Sequence, residues 1–133
     1  MVYKILSLIT VMTMTISCAS KKEISDIKNT HWILESYEDH ILSSKDSIRI
    51  PEFIFKENLE FSGNDGCNGI GGKYTFNSNN LILSEVIGTM MYCDHGFDKK
   101  YNTAINSATS TKIEGDYLIF YKEDIVILKF KRK

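Results

Sequence analysis

Proline, long apolar runs and an excess of basic residues are scarce or absent in this sequence. Pro51 is the only proline among 133 residues, and low-complexity runs are absent, so we expect no long disordered segments. The apolar run from Ile5 to Ile16 has about twelve residues, whereas a membrane-spanning helix needs ~20. The formal charge is only −1, and we infer no nucleic-acid binding, since that function requires a clustered basic surface. We therefore expect one folded domain that binds no nucleic acid.

The sequence motifs of common enzymes are also missing. No G-x-S-x-G nucleophile elbow occurs, and none of the three histidines lies in a recognisable nucleophile motif. A Walker loop would need glycine in place of Cys67 and serine or threonine in place of Tyr74, and no G-x-G-x-x-G motif fits. Carboxylate pairs such as Glu38 and Asp39 lie in predicted turns, where charged side chains are ordinarily solvated. We expect a non-catalytic protein without a cofactor.

The N-terminal residues have the features of an export signal. Lys4 is a short positive region, Ile5 to Ile16 is an apolar core, and Ser17 is a small residue before Cys18. Thr15 to Cys18 is similar to the lipobox of bacterial lipoproteins, although Thr15 replaces the usual leucine. We predict a lipoprotein signal peptide over residues 1–17, lipid attachment at Cys18 and a lipidated tether over residues 18–28. A secreted protein without lipid is the main alternative, and a buried helix is disfavoured because the run has no polar face.

Lipid attachment at Cys18 would make the membrane a partner of this protein. Each buried methylene contributes ~0.8 kcal/mol, so more than one acyl chain gives stable anchoring. Ala19 follows the cysteine, where enteric-type sorting uses aspartate to retain lipoproteins in the inner membrane. This likeness implies the outer membrane of the cell envelope, and it leaves the periplasmic and surface faces both open.

Two cysteines remain once Cys18 is attached to lipid. We expect Cys67 and Cys93 to form a disulfide, because such bonds persist in oxidising compartments. Reduced structural cysteines and a redox role are alternatives, but the C-x-x-C spacing of redox sites is missing. Asp94 and His95 could add metal ligands, yet zinc sites use closely spaced ligand pairs, and a lone histidine at a helix start is more often a surface or capping residue. We expect no metal.

Alternating apolar residues predict a series of short antiparallel strands. The predicted strands are residues 30–37, 47–50, 53–56, 58–62, 72–77, 81–87, 117–121 and 124–130. One helix is predicted from Phe97, because Phe97, Tyr101, Ala104, Ile105 and Ala108 recur at helical spacing. The glycine-rich stretch of residues 63–74 is predicted to form a loop before the strand that starts at Gly72, and we expect the disulfide to hold this loop in place. We expect an α+β fold, mainly an antiparallel sheet of about eight short strands curled into a partial barrel with one helix.

Met90, Met91 and Tyr92 directly precede Cys93. Methionine adapts to varied apolar shapes, so these three side chains could line a ligand groove. Packing in the core beside the disulfide is the favoured interpretation.

Several motifs, taken in order, resemble one family. They are Asn29 to Leu34 with Trp32, then Gly66-Cys67-Asn68 followed by Gly72 and Tyr74, then Thr89 to Cys93 with Met91, and finally Gly115 to Leu118. This order is similar to the META domain, best known from heat-inducible HslJ-type envelope lipoproteins. The resemblance implies a META-like domain over residues 29–133, an association with envelope stress and drug tolerance, and no established catalytic reaction. Gly69 stands where relatives usually carry arginine or serine, and Met90 stands where they commonly carry arginine.

These observations favour a monomeric, non-catalytic envelope lipoprotein that binds an unknown envelope protein or ligand, or supports envelope integrity under stress. One alternative is a carrier of a small hydrophobic molecule, with a pocket lined by Met90, Met91, Tyr92 and the helix. Another is an inhibitor of a secreted hydrolase that presents the glycine-rich loop. A carrier requires an apolar cavity of ~300 Å³ or more, whereas docking modules and inhibitors need a contiguous exposed apolar patch.

Overall fold

A computed structural model describes residues 26–46, 48–77 and 80–133. The predicted signal peptide, Cys18 and most of the predicted tether lie outside the described residues. The strands are β1 (Thr30–Tyr37), β2 (His40–Ile41), β3 (Glu52–Phe55), β4 (Glu60–Asn64), β5 (Gly69–Asn77), β6 (Asn80–Gly88), β7 (Ser110–Glu114), β8 (Tyr117–Lys122) and β9 (Ile125–Arg132). One α-helix, α1 (Phe97–Ser107), lies between β6 and β7, and Ser44–Asp46 forms a short 3-10 helix. Within the described residues, no helix has both the length and the apolar character to cross a membrane.

All of these strands belong to one antiparallel sheet. Its order is β6-β5-β4-β3-β1-β9-β8-β7, and β2 pairs with the end of β1. Strand β1 lies in the middle because it pairs with both β3 and β9. The edge strands β6 and β7 approach each other where the Leu81 backbone N–H donates to Thr111 Oγ1 at 2.7 Å. The predicted α+β fold, with a partial barrel and one helix, is confirmed.

Aromatic side chains fill the interior between the sheet and α1. The buried core includes Trp32, Phe53, Phe55, Phe61, Tyr74, Phe76, Phe120 and Phe130 from the strands, with Tyr101 and Ala104 from the helix. Within β1, Trp32 and Leu34 are buried and their neighbours are more exposed, as the alternation predicted. The Tyr101 ring lies 6.4 Å from the rings of both Phe53 and Phe130. These ring contacts hold α1 against β3 and β9.

The folded body begins before β1. Ile27, which the sequence analysis placed in the tether, is fully buried in the core. The Thr30 hydroxyl donates a hydrogen bond to the Ile27 carbonyl. The same hydroxyl oxygen, Thr30 Oγ1, accepts a hydrogen bond from Trp32 Nε1 at 2.7 Å. The connection between the predicted anchor and the folded body therefore ends before Ile27.

The segment between β1 and β3 differs from the prediction. Residues 48–50 form no strand, Ser47 lies outside the described residues, and the chain folds locally around Asp46 instead. The Asp46 carboxylate accepts from the Ser43 backbone N–H at 2.6 Å and lies 2.7 Å from His40 Nε2. Such local side-chain bonds offer the backbone an alternative to strand pairing. The hydrogen bond from His40 also lowers the pKa of the Asp46 carboxyl.

The glycine-rich stretch is mostly strand, so the predicted loop is wrong over most of its length. Strand β4 continues to Asn64 and β5 begins at Gly69, which leaves only a four-residue turn between them. The hairpins β3–β4, β5–β6 and β8–β9 form as predicted. Strand β7 was not among the predicted strands.

Candidate docking surface on the disulfide-linked segment

Buried polar side chains define the turn between β4 and β5. Asp65 Oδ1 accepts hydrogen bonds from the backbone N–H groups of Cys67 and Asn68, at 3.0 and 2.6 Å. Asn64 Oδ1 accepts from the Gly66 backbone N–H at 3.0 Å. Because buried backbone donors need partners, these bonds favour one conformation of the turn. The turn is thus held by its own side chains as well as by the disulfide.

The turn is also tied to α1. The second carboxylate oxygen of Asp65, Oδ2, accepts from Asn102 Nδ2 at 2.9 Å. Gly66 has a φ of 96°, and a Cβ there would lie 2.9 Å from the Phe97 ring at the start of the helix. Burial, and secondarily the negative charge of Asp65, raise the pKa of Tyr101 well above its ordinary value. The Tyr101 hydroxyl therefore stays protonated at physiological pH.

A second segment, residues 89–93, is fixed against this turn although it has no regular secondary structure. The predicted disulfide joins Cys67 to Cys93, with their Cα atoms 6.0 Å apart. Asn68 Oδ1 accepts from the Met91 backbone N–H at 2.6 Å and from Thr89 Oγ1 at 3.2 Å. The Thr89 backbone N–H donates to the Gly69 carbonyl at 3.1 Å. One covalent bond and several hydrogen bonds therefore immobilise the segment.

This immobilised segment presents large apolar side chains to solvent. Met90 is 99% exposed, Tyr92 88% and Met91 56%, and Ile87 at the end of β6 is 75% exposed. We call these four residues the apolar patch. The prediction that Met90, Met91 and Tyr92 pack in the core is wrong, because more than half of each side chain is exposed to solvent.

The residues that carry the family resemblance have structural tasks. Gly66, Asn68 and Thr89 build the turn and its contacts to the segment, and Met91 contributes its backbone N–H. The side chains of Asn68 and Thr89 make hydrogen bonds within the fold, whereas the Met91 side chain is exposed and belongs to the apolar patch.

The other motif residues act inside the sheet. Trp32 and Tyr74 are fully buried, and the Tyr74 hydroxyl donates to the Lys56 carbonyl at 2.8 Å. Gly72 permits close pairing with β6, since a Cβ there would lie 2.7 Å from the Ser84 carbonyl oxygen. These positions explain why the motif predicts the fold.

The metal alternative has no support among the residues that the structure describes. Cys67 and Cys93 are joined to each other, and His95 Nδ1 accepts from the Phe97 backbone N–H at 3.0 Å, which agrees with the capping role weighed from the sequence. In the described parts of the chain, no three or more His, Cys, Asp or Glu side chains are grouped to hold a metal ion.

Sequence reasoning missed two parts of this region. Asp65 was not singled out, although an Asn-Asp-Gly run is a turn signal whose side chains can bond nearby backbone groups. Ile87 was assigned to a strand, but nothing in its local pattern indicates that the β6 edge leaves it uncovered. Burial and exposure here depend on the neighbouring segment, which only the fold brings close.

We expect Asn68→Ala to lower the free energy of unfolding by about 1–3 kcal/mol, because it leaves the Met91 backbone N–H without its partner. Thr89→Val keeps the side-chain shape and should have a smaller effect, since the Asn68–Met91 bond remains. Urea denaturation of both variants tests this order. Wild-type stability in Asn68→Ala would show that Asn68 does not hold the segment.

Two solved structures share this fold. The NMR structure of a protein from Burkholderia xenovorans is 17% identical with a TM-score of 0.68, and the match covers 97% of this chain and 99% of that chain. A second protein structure determined by NMR is 20% identical with a TM-score of 0.65, and the match covers 80% of this chain and 92% of the other. At these identities the likeness concerns the fold alone.

The comparison with curated proteins finds no match. The sequence does match the META domain family over residues 25–133, which includes Ile27 and every strand described above. The chain therefore belongs to the META domain family.

Proposed function

We propose that this protein is a non-catalytic binding module of the bacterial cell envelope. In this proposal Cys18 carries the lipid that attaches it to the outer membrane, and the apolar patch docks an envelope protein. The observation that carries the proposal is the exposure of four large apolar side chains, three on the immobilised segment and Ile87 at the end of β6.

The apolar patch has the composition of an interface. Methionine and tyrosine are enriched in protein interfaces relative to other surfaces, and large apolar patches on soluble domains commonly mark interaction sites. Holding residues 89–93 in one conformation before binding lowers the ordering entropy that association requires. The disulfide and Asn68 therefore support binding through the patch without contacting the partner.

The geometry of the turn favours docking over presentation of the glycine-rich loop to a hydrolase. Asn64, Asp65 and Asn68 are buried, so a hydrolase cannot reach them in an extended form. Both carboxylate oxygens of Asp65 also accept hydrogen bonds within the fold. We therefore assign no reaction to this carboxylate.

The proposed lipid anchor and stress role rest on observations other than the apolar patch. The N-terminal sequence supports lipidation, since it combines a short apolar signal with a lipobox-like ending at Cys18. The family membership supports a role in envelope stress, drug tolerance or envelope integrity. A monomer with one lipid anchor and one docking surface would connect the membrane to a second envelope component.

A photo-crosslinking amino acid at position 92 tests the proposal in cells of the native host. We expect a cross-linked species of defined mass from Tyr92, and none from the same amino acid at Lys122, an exposed position in the β8–β9 hairpin. Met90→Asp should remove the cross-link without changing the unfolding midpoint, since Met90 is fully exposed.

Cell fractionation in the same experiment tests the anchor. The wild-type chain should sediment with the outer membrane, and the Cys18→Ser variant should be absent from that fraction.

Equal cross-linking at positions 92 and 122 would argue against the docking surface. A cross-link to a second copy of this chain would contradict the monomer and identify the patch as a self-association surface.

A further inference from the structure

Two adjoining cavities lie beside α1, near the gap between the edge strands β6 and β7. One has a volume of about 230 Å³ and lies between the middle of α1 and the sheet. The other has about 300 Å³ and reaches from the end of α1 to β7. Leu83, Ile105 and Asn106 line both cavities. We call the two together the α1 slot.

The smaller cavity is mainly apolar and uncharged. Phe53, Phe61, Ile70 and Val86 complete its apolar wall. Asn102 and Asn106 are its polar neighbours on the helix, and among the described residues no Asp, Glu, Lys or Arg lines either cavity. Apolar walls with a few neutral polar groups are typical of small-molecule sites. An ion would lose its hydration there without gaining a counter-charge, so the slot favours a neutral ligand.

Tyr101 provides a second, independent observation. It lines the smaller cavity and is fully buried, yet its hydroxyl has no hydrogen-bond partner among the described residues. Buried hydroxyl groups in folded proteins normally have a partner. Because the hydroxyl is protonated, it can donate a hydrogen bond to an acceptor that enters the cavity.

We propose that the α1 slot binds a small neutral molecule composed of an apolar ring and one hydrogen-bond acceptor, which pairs with the Tyr101 hydroxyl. The volume agrees with this ligand class, since an apolar cavity of ~150 Å³ accommodates benzene. The site differs from the groove expected at Met90, Met91 and Tyr92, none of which lines it. It is also separate from the apolar patch, so either proposal can fail without the other.

Two probes of nearly equal shape test the slot. Acetophenone has a ring and a carbonyl acceptor, whereas α-methylstyrene has a CH₂ group in place of the carbonyl oxygen. NMR titration of the ¹⁵N-labelled mature chain carrying Cys18→Ser should give saturable shifts at Leu83, Tyr101 and Ile105 with both probes. Tyr101→Phe should weaken acetophenone binding by about three- to tenfold, the effect of one neutral hydrogen bond. The affinity of the Tyr101→Phe variant for α-methylstyrene should stay within about twofold of the wild-type affinity.

Ile105→Trp is the matched blocking variant, because its larger side chain fills the position shared by the two cavities. It should abolish the shifts from both probes, and its circular dichroism spectrum establishes that the domain is folded. Tyr101→Phe keeps the buried ring and removes only the unpartnered hydroxyl, so it tests the acceptor even if Ile105→Trp unfolds. Absence of saturable shifts with both probes would overturn the proposal. An equal effect of Tyr101→Phe on the two affinities would overturn the role of Tyr101.

Discussion

Replacement of Cys67 and Cys93 by alanine together is expected to lower the free energy of unfolding by ~3–4 kcal/mol. The two cysteines are 26 residues apart, and opening the disulfide lets the unfolded chain adopt conformations that a closed loop of that length excludes. For a domain of this size the loss corresponds to a decrease of at least about 10 °C in melting temperature. Urea and thermal unfolding of wild type and the double variant measure it directly.

Reductant provides the internal control for this experiment. It should destabilise the wild-type chain and leave the double variant unchanged, because that variant has no disulfide to reduce. Hydrogen exchange at the Met91 amide should remain measurably slowed in the variant, since Asn68 still accepts its hydrogen bond. Equal wild-type melting temperatures with and without reductant, with the thiols shown to be free, would refute the stabilising role.

Gly63→Ala is expected to destabilise the protein by about 3 kcal/mol or more. Gly63 pairs with Phe53 across β3 and β4, and a Cβ at Gly63 would lie only 1.9 Å from the Glu52 carbonyl oxygen. That oxygen belongs to the backbone of the adjacent strand, so it cannot move aside as a flexible side chain would. Overpacking that requires backbone shifts is among the more damaging core changes. Chemical denaturation of the purified variant gives the value.

Gly69→Ala is the matched control, since it adds the same methyl group to the neighbouring strand of the same hairpin. No heavy atom lies within 4 Å of a Cβ at Gly69, so its stability should change by no more than about 0.5 kcal/mol. A comparable loss of stability in the two variants would indicate that any alanine in the β4–β5 hairpin is destabilising. The contact with Glu52 would then not be the cause.

The family motif of this protein describes its internal construction more than its activity. Trp32 and Tyr74 are core residues, and Asn68 fixes the segment that bears the patch. The proposed binding surfaces are the apolar patch, three of whose four residues lie within the Thr89 to Cys93 motif, and the α1 slot, which lies outside the motif.

The hairpins and the helix could be predicted because their signals are local. Alternation along β1 indicates a strand with Trp32 inside, and helical spacing from Phe97 indicates α1. The disulfide followed from the number of cysteines left after Cys18. The prediction of a strand at residues 47–50 was wrong. The side chain of Asp46 forms hydrogen bonds with nearby residues that favour a turn, and the spacing of apolar residues does not reveal such bonds.

The sequence by itself determined the α+β composition, the strand hairpins, the cysteine pair and the family. Only the tertiary structure decided that β1 lies at the centre of the sheet, that Asp65 is buried, that Met90 and Tyr92 are exposed, and that a slot lies beside α1. The physical reason is that periodicity reports which side of its own element a residue occupies. Burial, cavities and exposed patches depend on which distant segments cover that side, and those contacts exist only in the folded chain.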